Sequence, residues 1–149
     1  MPYKRNPEAF QTILSIRAQP GTHIDTSLIR WVDFSTGYGF YHIFTNEAGT
    51  VVGYMIWAQF NEEAVRRAST TRQLPIYGHE WDEGIVNFVL DLVYRNGIYR
   101  LTRSTLLAAL PNDVDKVAFV HRRRMRFCRS IAGRIVLVSP ENFFGSPRP

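Results

Sequence analysis

Apolar residues spaced three and four apart open the chain: Ala9, Phe10, Ile13 and Leu14 fall on one helical stripe that Arg17 continues, and Asn6-Pro7-Glu8 supplies the capping side chain, the proline and the early acid that start a helix. Pro20-Gly21 should stop it. Ile24 to Phe34 is ambiguous by period, and Thr36-Gly37-Tyr38-Gly39 reads as a loop. The period then changes to that of strands. Phe40 to Phe44, the turn Asn46-Glu47-Ala48-Gly49, and Val51 to Trp57 predict a β-hairpin. Asn61 to Ala68 predicts a short exposed helix with a capping Asn, broken by Gln73-Leu74-Pro75. A third strand follows over Gly84 to Tyr94, then an amphipathic helix over Ile98 to Leu110 that ends before Pro111. Val114 to Val120 and Ile131 to Val138 predict two strands flanking a basic stretch, and residues 144–149 form a loose tail.

One position breaks the apolar run of the third strand. Asp91 sits within Ile85-Val86-Asn87-Phe88-Val89-Leu90-Asp91-Leu92-Val93-Tyr94. Unpaired in a buried strand, a carboxylate costs several kcal/mol or takes up a proton, so it needs a histidine, an arginine or backbone donors as partner. Alternatively it ends the strand or lies on its wet face. The run alone leaves both readings open.

With 149 residues, 45% hydrophobic, the chain suits one well-filled core, so residues 1–149 are expected to form a single domain. The only cysteine, Cys128, cannot form an internal disulfide, and no long apolar stretch follows Met1-Pro2-Tyr3-Lys4; a soluble, cytoplasmic protein without a transmembrane segment is expected. Charge is uneven. Lys116 to Pro149 holds eight Lys or Arg against Glu141 alone, a balance of +7, whereas the remainder carries −2 of the total +5. Such a surface attracts an acidic partner, unless it is only a solvated turn between strands.

Two hairpin strands, a helix, the Asp91 strand, a helix and a closing hairpin resemble the element order of GNAT-type acyltransferases, which implies an α/β (α+β) fold with a central mixed, mainly antiparallel sheet flanked by helices. The helices around Ala9 and Leu106 would then cover an interior Asp91 strand. A narrower resemblance is carried by Asn6-Pro7, the loop from Ala18 to His23, Tyr41-His42-Ile43-Phe44-Thr45, and Val52 to Phe60 with its Trp57-Ala58-Gln59-Phe60 ending. Asp91 with the later Gly97, Leu110-Pro111-Asn112-Asp113 and Gly133-Arg134-Ile135 continue it in order. These resemble the RTX toxin-activating lysine acyltransferases, which fatty-acylate protoxins. The chain departs from that pattern at Tyr94-Arg95-Asn96-Gly97, where the family has Ala-Pro-Phe-Gly, and at Pro20, where it has serine. The resemblance implies acyl carrier protein as donor partner, with its phosphopantetheine thioester as donor substrate and no tightly bound cofactor, and an RTX-type protein as acceptor.

The chemistry agrees. Lysine, with a pKa of about 10.4, is protonated at neutral pH, so transfer to it needs a base. A histidine with a carboxylate on its other ring nitrogen suits that task, and His23 with Asp91 meets it; the two are expected within hydrogen-bonding reach in a cleft open to solvent. The developing oxyanion needs donors, which the backbone N–H groups of a splayed strand can supply. Arg122, Arg123, Arg124 and Arg126 are expected to steer and dock the acidic carrier.

Other residues bear less weight. His42 reads as a half-buried sheet residue and His79 as part of a polar loop. The four histidines have no metal-ligand spacing. Cys128 is either a nucleophile between arginines or a small buried hydrophobe, and a strand favours the latter. Two alternatives remain: a GNAT enzyme using a CoA thioester, for which 94–98 offers only one glycine, and a basic nucleic-acid-binding domain, for which no recognition signature is present, so no nucleic-acid partner is expected. A homodimer is left open.

Overall fold

The computed structural model describes residues 2–18, 24–75, 77–94, 108–111, 115–121 and 123–145. Its strands follow one another in the order β1-β2-β3-β4-β5-β6 in one mixed six-stranded sheet flanked by helices. The chain divides into two units, Met1–Trp57 with Leu90–Ala109, and Ala58–Val89 with Leu110–Pro149.

In the first unit, α1 (Pro7–Arg17) begins where the sequence places it: the Ala9 N–H donates to Asn6 Oδ1 at 3.1 Å, satisfying one of the free donors of the first turn. Helix α2 (Thr26–Tyr38) resolves the ambiguous stretch, with Asp25 as its cap (Leu28 N–H to Asp25 Oδ1, 2.7 Å). It corrects the expected loop over Thr36–Gly39, because the helix runs on to Tyr38 and only Gly39, at φ 81°, leaves it. Thr36 turns its hydroxyl back onto the Val32 carbonyl at 2.7 Å, and Gly37 is small because the Tyr3 ring lies against it, in the space a Cβ would take.

The hairpin is as expected. Strands β1 (Tyr41–Thr45) and β2 (Val51–Phe60) pair antiparallel, Tyr41 opposite Ile56 and Ile43 opposite Tyr54, and Asn46 Oδ1 closes the turn by accepting from the Ala48 and Thr50 N–H groups at 3.0 and 2.9 Å. Strand alternation puts Tyr41, Ile43, Tyr54 and Ile56 on one face, and Ile13, Ile16, Leu28 and Val32 of the two helices pack with them in one core. Leu90 and Val93, from the second half of β3 (Val86–Tyr94), pack against the same cluster.

In the second unit, α3 (Glu62–Thr71) is capped by Asn61, whose Oδ1 accepts from the Ala64 N–H at 2.8 Å. It is not a purely exposed helix, since Ala64, Val65 and Ala68 are buried. A 3-10 turn (Gly78–Asp82) buries Trp81 edge-on to Phe60 at 5.0 Å. The first half of β3 pairs in parallel with β4 (Lys116–His121), from Val86 opposite Lys116 to Val89 opposite Phe119.

The basic stretch is the second correction. The expected connection between two strands is itself a strand, β5 (Arg124–Ile131), which pairs antiparallel with β4 on one side and with β6 (Arg134–Val138) on the other. Met125 and Phe127 alternate with Arg124 and Arg126, so the arginines occupy the exposed positions of a two-residue period. The β5–β6 turn is two residues long, and its Ala132 (φ 52°) and Gly133 (φ 76°), like Arg123 (φ 64°) before β5, take the left-handed backbone that tight hairpins need. Helix α4 (Pro140–Phe144) closes the unit, with Phe143 buried against Phe127 at 4.8 Å between ring centroids.

The helix expected over Ile98–Leu110, including Leu106, falls almost entirely outside the described residues; residues 108 and 109 are helical. The expected tail, apart from Phe144 and Gly145, lies outside them too. Among the described residues, no helix is long and apolar enough to cross a membrane.

Candidate functional site

Asp91 has the partner its surroundings require. In the first unit, Arg17 Nη1 stands 3.4 Å from both Asp91 Oδ1 and Oδ2, and the Tyr54 hydroxyl donates to Oδ2. Three elements supply the group. Arg17 is the last residue of α1, where the helix dipole favours a cation; Tyr54 comes from β2 and Asp91 from β3. The Asp91 side chain keeps 17% of its surface exposed and Arg17 keeps 26%. Tyr54 is fully buried among the helix residues. Burial first, and then the hydrogen bond and negative charge of Asp91, hold the Tyr54 phenol far above its ordinary pKa of 10.0, while Arg17 pulls it back. The phenol therefore stays a donor.

A carboxylate offers about four acceptor sites. Among the described residues, Arg17 and Tyr54 use three, which leaves one acceptor site of Asp91 that none of those residues fills. His23, expected to supply it, lies outside the described residues. Sequence reasoning found Asp91 but missed Tyr54 and the role of Arg17. The signal was there: Arg17 occupies the apolar stripe of α1, and an arginine on a core-facing stripe needs an acid.

The basic residues gather in the second unit. Arg124 and Arg126 are exposed on one face of β5, with His121 directly opposite Arg124 and Phe119 opposite Arg126. Arg123, also exposed, forms the turn, and Arg122 lies outside the described residues. Strand β6 pairs with β5 only from Phe127 onward, so Arg124, Met125 and Arg126 project beyond it. Among the described residues, the ion pairs of this unit are Lys116–Glu62 and Arg129–Asp115, and neither involves the arginines at the hairpin tip.

The remaining candidates occupy ordinary positions. His42 is on β1 but exposed rather than half-buried, its ring edge-on to Phe44 at 4.9 Å. His79 lies in the 3-10 turn, exposed and stacked on Tyr77 at 5.8 Å. Cys128 is buried in β5, as a small hydrophobe would be. Among the described residues, no three His, Cys, Asp or Glu side chains come together.

No protein-family model matches the chain, and no curated protein matches its sequence. Solved structures do. The GphF GNAT-like decarboxylase in complex with isobutyryl-CoA superposes with a TM-score of 0.51 at 18% identity, over 80% of this chain and 65% of its own. The loading GNATL domain of CurA from Lyngbya majuscula superposes with a TM-score of 0.50 at 15% identity, over 99% of this chain and 70% of its own. The chain thus spans somewhat less than two thirds of the first and more than two thirds of the second. The fold is GNAT-like; the narrower resemblance to toxin-activating lysine acyltransferases belongs to the proposal below.

Proposed function

We propose that the chain is an acyltransferase that takes a fatty acyl group, held as a phosphopantetheine thioester on acyl carrier protein, and passes it to lysine side chains of an RTX-type protein. The observation that carries this reading is Asp91: a carboxylate set in an apolar strand of a GNAT-like fold, anchored on two donors and still able to accept another. In this mechanism His23 removes the proton from the lysine ammonium, and Asp91 holds the other ring nitrogen and stabilises the imidazolium. The free amine attacks the thioester carbonyl; the C–N bond forms, the C–S bond breaks, the pantetheine thiolate leaves and takes up the proton that the attacking nitrogen gives up, and the His23 imidazolium releases the first proton to solvent. The exposed arginines of the β4–β5 hairpin, Arg123, Arg124 and Arg126, with Arg122 beside them in sequence, steer and dock the acidic carrier.

A CoA thioester is the second reading, favoured by the isobutyryl-CoA complex of the GphF domain. Titration of wild type and an Arg122→Ala/Arg123→Ala/Arg124→Ala variant with acyl carrier protein, acyl-CoA and a polynucleotide at two salt concentrations separates the possibilities. Carrier docking predicts a lower, less salt-dependent association rate in the variant and preserved chemistry at saturating donor. Tight, salt-sensitive polynucleotide binding with no carrier binding contradicts the proposal.

A further inference from the structure

We infer that Tyr54 and Arg17 are positioning residues for Asp91, fixing the plane and direction of its carboxylate for acyl transfer; this rests on the role given to Asp91 above. The terminal torsion of an aspartate is broad and roughly two-fold, so an otherwise free carboxylate samples many orientations. A carboxylate that must hold one ring nitrogen of a base needs that torsion restricted. Asp91 meets donors from two elements, the Tyr54 hydroxyl from β2 and the Arg17 guanidinium from the end of α1, and together they define its plane.

Neither residue is explained by packing alone. Tyr54 is fully buried among Ile13, Ile16, Leu28, Val32 and Ile56, where phenylalanine would fill the same volume without a polar atom to satisfy. Its hydroxyl has Asp91 as acceptor. Arg17 occupies a stripe of α1 otherwise suited to an apolar side chain, and its Nε is buried without a hydrogen-bond partner among the described residues. A guanidinium that leaves one donor unsatisfied does not optimise stability. Its 3.4 Å approach to both oxygens is that of a charge guiding the carboxylate, while the tyrosine makes the closer bond.

The test combines steady-state transfer from acyl carrier protein with proton NMR. Tyr54→Phe and Arg17→Gln should each lower kcat on the order of 10- to 100-fold with KM for the carrier little changed, and Arg17→Lys should recover part of the loss. In an Asp91→Asn background, Tyr54→Phe should cost nothing further, because the two act as a unit. Independently of activity, the wild-type spectrum should contain a downfield, slowly exchanging tyrosine hydroxyl proton that disappears in Tyr54→Phe and moves upfield in Asp91→Asn, whose neutral amide oxygen is a weaker acceptor. Wild-type kcat in folded Tyr54→Phe and Arg17→Gln, or losses that simply add to that of Asp91→Asn, would overturn the inference while leaving the acyltransferase reading intact. Absence of the hydroxyl resonance from the wild type would overturn it whatever the activity. A wild type that shows the resonance but transfers no acyl group from either thioester removes the acyltransferase reading, and the positioning role with it.

Discussion

Among the described residues, each unit contains one ion pair between a strand and a helix end, and the two are built in opposite senses. In the first unit the acid is on the strand (Asp91) and the base is at the helix C-terminus (Arg17); in the second the base is on the strand (Lys116) and the acid opens the helix (Glu62). Both obey the helix dipole. They differ in how the strand residue is finished. Lys116, with 10% of its side chain exposed, is closed off: Glu62 pairs with it and the Phe143 ring lies 5.2 Å from its ammonium. Asp91 keeps an acceptor that no described residue fills, and it gathers a phenol that packing does not need. The contrast separates a pair that closes on itself from one that leaves an acceptor exposed.

Removing the cover should have the largest effect on stability. Phe143→Ala empties a fully buried site in contact with Phe127 and uncovers Lys116, and urea unfolding should report a loss of about 4 kcal/mol. Glu62→Ala comes next. It strands the Lys116 ammonium and should cost about 3 kcal/mol, most of which returns in Glu62→Ala/Lys116→Met, since an apolar side chain at 116 no longer needs a counter-charge. A structural pair is replaceable in this way.

The first unit should respond to pH instead. The folded state holds the Tyr54 proton above pH 10, whereas the unfolded chain releases it near 10.0, so this group's contribution is complete below pH 10 and is lost as pH rises beyond it. Chemical unfolding at pH 9, 10 and 11 should show wild type losing on the order of 1 kcal/mol per pH unit more than Tyr54→Phe above pH 10. Equal slopes would mean that Asp91 and burial do not hold the phenol.

The smallest change lies in neither pair. Ala132 holds a left-handed backbone in the β5–β6 turn, and Ala132→Asn should raise stability by about 0.5–1 kcal/mol, read as a higher midpoint in thermal unfolding.

What the sequence made legible was local. Asn6-Pro7-Glu8, the Asn46 turn and the Asn61 cap each act within a few residues, and each marks its element where the structure has it. The end of α2 was hidden because tertiary contacts sustain Thr36 and Gly37 in the helix: Tyr3 fills the space beside Gly37, and the preceding residue, Ser35, donates to the Trp57 carbonyl at 2.9 Å. Strand β5 was hidden because its exposed face is arginine, so a charge run masked an alternating strand. At the site, the need to pair Asp91 was readable from its apolar neighbours, but the choice of Arg17 and Tyr54 follows from α1, β2 and β3 meeting in one core, which no spacing reveals.

Mass spectrometry of an RTX-type protoxin incubated with this protein and acyl carrier protein charged with a fatty acyl group tests the central claim most directly. The account predicts an acyl increment on internal lysines with wild type, lost in folded His23→Ala and strongly reduced in Asp91→Asn. Unmodified lysines with both the carrier thioester and acyl-CoA, or full modification by folded His23→Ala and Asp91→Asn, would contradict it.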